Sequence, residues 1–381
     1  MLSYMVYTIN PDYIWRDSVR RGDIVSKHQT PNGFVEIGIK DSGKFEYYAK
    51  ETVFGQPPRD LEGAVLERFV EGTDFVIQYN KYRAYKPSTN KGGIPEGRKD
   101  PPKQGIKDCV FGCDNMNKPK SLLIRTPSGQ VVLKNGGRYN LYYNAFPIEE
   151  DGHFMYVPVK REGILETIPH VPQRLTKEVV EEFLDFSGQC TDTILFFNSI
   201  HAGASADHLH IQQVKYRRNL KDETRLRNGK FAIENSDVIE YKGRIILKDY
   251  PINGIVFDSS RRDRVFGDIE RFQEEGVPFN WILIRSNCYL IPRDINFEKV
   301  LEFNNIPASL EMTGKIVTED KELFDTLTRS KLVSAFQKMS YKRDNIFPSI
   351  CQKNYNPCSQ CAEKLMGVAG KPCLGCTYAS G

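Results

Sequence analysis

The sequence predicts an α+β fold: an antiparallel sheet with helices, built as two related halves, with a small Cys-rich zinc element at the C-terminal end. Three observations carry this expectation. Short apolar or alternating runs bounded by turn residues recur between 75 and 294, broken by two stretches with helical spacing. RYNLYYNAFPIEEDGHFMYVPV (138–159) is echoed by FNWILIRSNCYLIPR (279–293), which suggests a duplicated strand pair. Five of the nine cysteines crowd into the last 31 residues.

In chain order, residues 11–30 and 58–72 have helical spacing, and FVIQYN (75–80) alternates as a strand does. SLLIRT and QVVLKN, around Pro127-Ser128-Gly129, predict a hairpin. Residues 138–159 read as strand, turn, strand, with Glu149, Glu150 and Asp151 expected as a solvated acidic turn. LTKEVVEEFLDFSGQ (175–189) repeats apolar residues at i, i+3 and i+4 and predicts a helix. TILFFNSIHAGASADHLHIQQV (193–214) reads as strand, small-residue loop, strand. GRIILKDYPINGIVF is strand-rich, RRDRVFGDIERFQEEG helical, FNWILIRSNCYLIPRD a strand pair, and 306–348 helical. The segments expected are an N-terminal helical extension (1–74), a first half (75–220) with a basic insert at 81–107, a second half (221–315), and a helical tail with the Cys-rich element (316–381).

At 381 residues, 40% hydrophobic and 27% charged, the composition excludes a collagenous or disordered chain. Apolar runs such as TILFF are far shorter than the roughly 20 residues a membrane span needs. The opening MLSYMVYTINPDYIWRD lacks the basic and apolar regions of a signal peptide, and an odd number of cysteines in a long chain suits a reducing compartment, so a cytoplasmic location and no membrane are expected. The net charge of +4 is uneven. Lys81 to Lys107 holds eight Lys or Arg against Glu96 and Asp100, rich in Pro and Gly: either a solvated linker or a cationic flap over a polyphosphate site. No nucleic-acid motif accompanies it, so nucleic acid is not the expected partner.

Cys358-x2-Cys361 and Cys373-x2-Cys376 are two thiolate pairs, the donor set of tetrahedral structural zinc; the alternatives are an iron–sulfur cluster that also uses Cys351 and a set of free thiols. Such a segment has little core of its own, so the metal would also supply its folding energy. Nothing in the sequence speaks for or against magnesium.

Three of the six histidines, His201, His208 and His210, fall within ten residues. On a strand, His208, His210 and Gln212 would share one face, with Leu209 and Ile211 on the other. Upstream, Ala202-Gly203-Ala204-Ser205 can bring backbone N–H groups and a hydroxyl to a phosphate. A neutral imidazole can attack an α-phosphorus if its other ring nitrogen is held by a partner, and the Gln212 amide can donate to a non-bridging oxygen as charge builds there.

HLHIQ (208–212), preceded by Asn198 and by Gly203-Ala204-Ser205, resembles the H-x-H-x-Q signature of the transferase branches of the histidine-triad (HIT) superfamily. These include galactose-1-phosphate uridylyltransferase, diadenosine tetraphosphate phosphorylase and the GDP-hexose phosphorylases. NAFPIEEDGHFMYVP, FVIQYNKYR, DCVFGCDNM and HVPQRLT add to the resemblance, which covers 75–215 well and 243–315 loosely. It implies a HIT-like fold, His210 as nucleophile with His208 beside it, and Gln212 orienting the phosphate. It further implies Ser205 and Gly203 on the phosphates, Asn198 holding the loop, Asn144 and Pro147 lining a nucleoside pocket, and Arg83 as a phosphate contact. Some relatives build a zinc site from a Cys pair and two histidines, here Cys109, Cys113, His170 and His208. The pair is C-x3-C where relatives show C-x2-C, so this second zinc is a weaker expectation than the first.

The expected activity is therefore that of a nucleotidyltransferase or phosphorylase. It would move a nucleoside monophosphate from a dinucleoside polyphosphate, or second from an NDP-sugar, to inorganic phosphate or a sugar phosphate through a nucleotidyl-histidine. The rivals are a nucleotide hydrolase of the same superfamily and a zinc-containing nucleic-acid or protein-binding factor whose nucleotide pocket is not catalytic. The oligomeric state is open, with a homodimer among the options.

Overall fold

The computed structural model describes residues 11–22, 25–85, 129–133, 136–144, 147–149, 152–162, 165–167, 171–190, 192–204, 206–215, 229–258, 262–297, 303 and 307–346. Helix α1 (Pro11–Arg21) precedes β1 (Val25–Thr30), β2 (Gly33–Asp41), β3 (Phe45–Val53) and β4 (Arg59–Asp60), which pair in that order as an antiparallel sheet. Next come β5 (Val65–Phe69) and β6 (Val76–Asn80). The first half holds β7 (Gly129–Val132), β8 (Arg138–Tyr143), β9 (His153–Pro158), the small ribbon β10 (Lys160–Glu162) and β11 (Leu165–Thr167), helix α2 (Lys177–Ser187), β12 (Thr193–Asn198) and β13 (Ile211–Lys215). The second half holds β14 (Val238–Tyr241), β15 (Arg244–Leu247), β16 (Ile255–Phe257), α3 (Arg262–Glu274), β17 (Phe279–Ile284) and β18 (Asn287–Pro292). The chain continues through α4 (Ser309–Thr313), β19 (Lys315–Thr318), α5 (Lys321–Thr326), α6 (Arg329–Met339) and α7 (Arg343–Ile346).

One ten-stranded sheet, ordered β14-β15-β16-β18-β17-β12-β13-β9-β8-β7, runs through both halves. Each half repeats one topology. A three-stranded meander leads into a helix and then a hairpin, whose second strand pairs with the third meander strand. The hairpins' first strands, β12 and β17, meet at the centre, antiparallel, from Ile194 opposite Ile284 to Asn198 opposite Asn280. The duplication is structural, but the echo in sequence pairs strands that are not equivalent in it: 138–159 supplies β8 and β9, whose counterparts are β15 and β16, whereas 279–293 supplies β17 and β18, the counterparts of β12 and β13.

Both faces of the central strands are covered, which is why TILFF and WILI read as continuous apolar runs. Leu195, Phe197, Trp281 and Leu283 face a core shared with α2, α3 and α1; Ile194, Phe196, Ile282 and Ile284 face a second core with β6, β19 and α4 to α6. α2 forms where expected: Thr176 caps it by accepting from the Val179 N–H, and Val179, Val180, Phe183 and Leu184 are buried. α3 buries Val265, Ile269 and Phe272, and its Asp268 accepts a bidentate pair from Arg244.

The N-terminal region departs from expectation. Among the described residues of this region, Pro11–Arg21 alone is an α-helix; 25–30 is a strand, and Val65–Phe69 within the expected helix 58–72 is a strand on β6. The cause is tertiary. β6 also pairs in parallel with β19, about 240 positions later, and that sheet outweighs local helical spacing. β19, buried at all four residues, interrupts the helices expected across 306–348. The arm SLLIRT of the expected hairpin lies outside the described residues; its other arm supplies β7, which pairs with β8.

Glu149 is not solvated. Lys315 of β19 binds both Glu149 and, at 2.9 Å, Glu67 of β5, with all three side chains at least nine-tenths buried. Gln78 donates to the same Glu67 oxygen. Burial alone would lower the pKa of Lys315, but the two carboxylates outweigh it and raise it. Lys315→Met would leave two buried carboxylates without their cation, so we expect a loss of about 3–5 kcal/mol in denaturant unfolding of the full chain.

Candidate active site

The loop between β12 and β13 is fastened to the second half at several points. Asn198, the last residue of β12, is buried, and its Oδ1 accepts from Asn280 Nδ2 (2.8 Å), Ser309 N (2.9 Å) and Ser309 Oγ (2.6 Å). Asn280 Nδ2 also donates to the Ala202 carbonyl at 2.8 Å, and Asn280 Oδ1 accepts from Arg293 Nη1 at 3.2 Å. The same Arg293 nitrogen donates to the Pro307 carbonyl at 2.8 Å. Gly203 sits at φ +94°, and a Cβ there would lie 2.7 Å from the Ala308 Cβ. Glycine is therefore required both by backbone conformation and by close approach. His201 takes φ +66°, the left-handed region that a non-glycine residue seldom enters.

The chain descends from this loop to the histidines. β13 begins at Ile211, so His208, in a bend, and His210, in the irregular residues that follow, precede the strand rather than lying in it. Leu209 and Ile211 are buried as expected, and His208 and His210 are buried too. His210 Nδ1 lies 2.8 Å from the His208 carbonyl oxygen. A carbonyl can only accept, so Nδ1 carries the proton and Nε2 keeps its lone pair. Burial holds the His210 pKa down at about 4, against an opposing contribution from that hydrogen bond. Neutral pH therefore finds a neutral imidazole with a nucleophilic Nε2.

Two neighbours were not singled out from the sequence. Gln173 is buried; its Oε1 accepts from the His210 N–H (3.1 Å), its Nε2 donates to the Asn198 carbonyl (2.8 Å), and its own N–H donates to Asp207 Oδ1 (3.2 Å). It thereby links the two ends of the loop, His210 and Asn198. His153, at the start of β9, lies 2.9 Å through Nε2 from Gln212 Oε1 and 3.1 Å from Asn144 Nδ2, while its Nδ1 accepts from the Ile148 N–H at 3.3 Å. Gln173 sits inside HVPQRLT and His153 inside the GHF turn, but nothing in either spacing marks a partner that only strand pairing supplies.

Of the expected site residues, His210, Gln212, Asn144, Asn198 and Gly203 converge, with the His208 carbonyl in the same cluster. Pro147 is buried, and its carbonyl accepts from Tyr47 Oη at 2.9 Å, which joins this wall to the N-terminal sheet. Arg83 lies in a short 3-10 turn, Lys81–Tyr85. It faces Glu311 of α4: burial raises that carboxyl's pKa, and the Arg83 charge is among the groups that oppose the rise. Ser205, Cys109, Cys113, His170, Cys358, Cys361, Cys373 and Cys376 lie outside the described residues, as do 86–107 of the basic insert. Among the described residues no three His, Cys, Asp or Glu side chains gather as a metal site. Among them, too, no helix is long and apolar enough to cross a membrane.

Comparison with known proteins adds to this geometry. Residues 115–215, which include the histidine loop, match a family model described as a domain of unknown function (DUF4922). Residues 237–355 match a model described as GDPGP1-like, C-terminal domain. No curated protein matches the chain. Solved structures of yeast Ap4A phosphorylase Apa2 align over 74% of this chain: the AMP complex at 15% identity, 89% of its own length and a TM-score of 0.44, and the Ap4A complex at 16%, 89% and 0.45. The structure without either ligand aligns at 15%, 87% and 0.42.

The buried imidazole has a measurable consequence. The unfolded chain takes up a proton at the ordinary pKa of 6.5, while the folded chain refuses it down to about 4. The unfolded state thus binds more protons in this window, and stability falls as pH drops through it. Denaturant unfolding at about pH 7, 5.5 and 4 should show this loss, and His210→Gln should remove roughly 3 kcal/mol of it.

Proposed function

We propose that this chain is a nucleotidyltransferase of the phosphorylase type that works through a covalent nucleotidyl-histidine. The observation that carries the reading is the state of His210: neutral, buried, and with its Nδ1–H committed to the His208 carbonyl, which leaves Nε2 as the nucleophilic nitrogen. In the first step Nε2 attacks an α-phosphorus, the P–N bond forms, and the bond to the leaving phosphate oxygen breaks. The imidazole becomes cationic at that moment, and the His208 carbonyl, already accepting from Nδ1, stabilises the charge. The Gln212 amide donates to a non-bridging oxygen. In the second step inorganic phosphate or a sugar phosphate attacks the same phosphorus, the P–N bond breaks, and neutral His210 returns. The first choice of donor is a dinucleoside polyphosphate and the second an NDP-sugar; the match of residues 237–355 to the GDPGP1-like model supports a reaction of this class.

The test is a donor screen with inorganic phosphate, read by product mass. The expected result is phosphate-dependent release of a nucleoside diphosphate and, in quenched samples, an acid-labile, base-stable nucleotidyl adduct. His210→Gly should lower turnover by on the order of a thousandfold or more. Equal activity of wild type and His210→Gly with every donor would overturn the mechanism. Product formation at the same rate without phosphate would make the chain a hydrolase instead.

The four thiolates Cys358, Cys361, Cys373 and Cys376 have the right chemistry for structural zinc, and we propose that they hold it. Elemental analysis of the purified full chain should give at least one equivalent of zinc. A second equivalent would support Cys109, Cys113, His170 and His208 as a further site, and a zinc-free chain would refute both.

A further inference from the structure

We infer that His153 is a positioning residue for the reaction, acting through Gln212. The inference rests on the nucleotidyl-transfer reading and deepens it. The starting point is the Ile148 N–H, which lies 3.3 Å from His153 Nδ1. A backbone amide donates only, so Nδ1 is an acceptor and, in the neutral ring, the proton sits on Nε2. Nε2–H then donates across 2.9 Å to Gln212 Oε1. The reversed Gln212 amide would set its NH2 against that N–H, donor against donor, so His153 selects one of two amide orientations. In the selected one, the NH2 end is directed away from His153. Gln212 is two residues from His210 and only partly buried, so its NH2 end is the donor available to a phosphate bound at His210.

The same logic settles Asn144. Its amide carbonyl, rather than the Nδ2 placed 3.1 Å away, must face the protonated Nε2, which turns the Asn144 NH2 outward as well. His153 thus converts one backbone N–H into the orientation of two side-chain amides. It is itself held in depth: it is 1% exposed, its ring packs 6.4 Å from that of Phe196, and β9 pairs with β13 through Val214 opposite His153. Ile148 is fixed from both sides, by Pro147 accepting from Tyr47 and by Glu149 paired with Lys315.

Two measurements test this. In the wild-type full chain with 15N-labelled histidine, long-range 1H–15N spectra should show His153 as the Nε2–H tautomer; an Nδ1–H tautomer would overturn the inference whether or not any donor is turned over. In a double-mutant cycle on nucleotidyl-adduct formation, His153→Phe should lower kcat by about ten- to a hundredfold with KM little changed. In a Gln212→Ala background the same substitution should cost less than about twofold, and His153→Gln, which keeps an N–H donor, should restore part of the rate. Independent effects of the two positions, or no rescue by His153→Gln, would overturn the positioning role while leaving the nucleotidyl-histidine intact. Failure of wild type with every donor would instead sink the proposed function, and the tautomer would still decide the state of His153.

Discussion

The two halves of this protein meet at β12 and β17, and the last pair of that seam is polar. Asn198 stands opposite Asn280, and one oxygen, Asn198 Oδ1, accepts from Asn280, from the Ser309 N–H and from the Ser309 hydroxyl. Two amides inside an apolar core are tolerable only when their hydrogen bonds are met. That requirement fixes where the histidine loop starts, how 307–309 crosses it, and why Arg293 is drawn into the interior to hold Asn280 and Pro307. A slip of one residue between β12 and β17 would set the two asparagines on opposite faces of the sheet, so the buried pair also specifies the register.

From that seam the division of labour follows. The first half supplies His210, the proposed nucleophile, and the amides of Gln212 and Asn144. The second half contributes none of the six histidines, yet it holds the loop through Asn280, and the segment after it holds Glu149 through Lys315. The duplicated topology gives each half a hairpin at the seam. Only the first has a long connection between its strands, residues 199–210; the second turns within Arg285-Ser286. One half became the site and the other its support.

Much of this was legible in the chain. TILFF and WILI are buried on both faces and announce central strands; LTKEVVEEF carries its cap and its stripe; HLHIQ carries its chemistry. What was not legible depends on pairing across long separations. β5 looked helical because LEGAVLERF has helical spacing, and only β6, itself recruited by β19, makes it a strand. Glu149 looked solvated because its partners, Glu67's neighbour Lys315 and the β19 strand that carries it, come from elsewhere in the chain. His153 and Gln173 were invisible as site residues for the same reason. A histidine and a glutamine acquire their roles from which backbone N–H or C=O the fold sets beside them, and the local sequence does not encode that.

The site answers one physical difficulty with these borrowed contacts. A histidine that attacks phosphorus must be neutral beforehand and cationic afterward. Burial secures the first condition by holding the pKa at about 4, and it opposes the second for the same reason. The His208 carbonyl reconciles them: it fixes the reactive tautomer before attack and faces the positive ring after it. A carbonyl can do so only if the backbone turn that presents it is rigid. Gln173 holds the His210 N–H at one end and the Asn198 carbonyl at the other, and Gly203 lets the loop lie directly against Ala308. The rigidity of the loop is therefore part of the electrostatics of the nucleophile, and both trace back to the buried asparagine pair where the halves join.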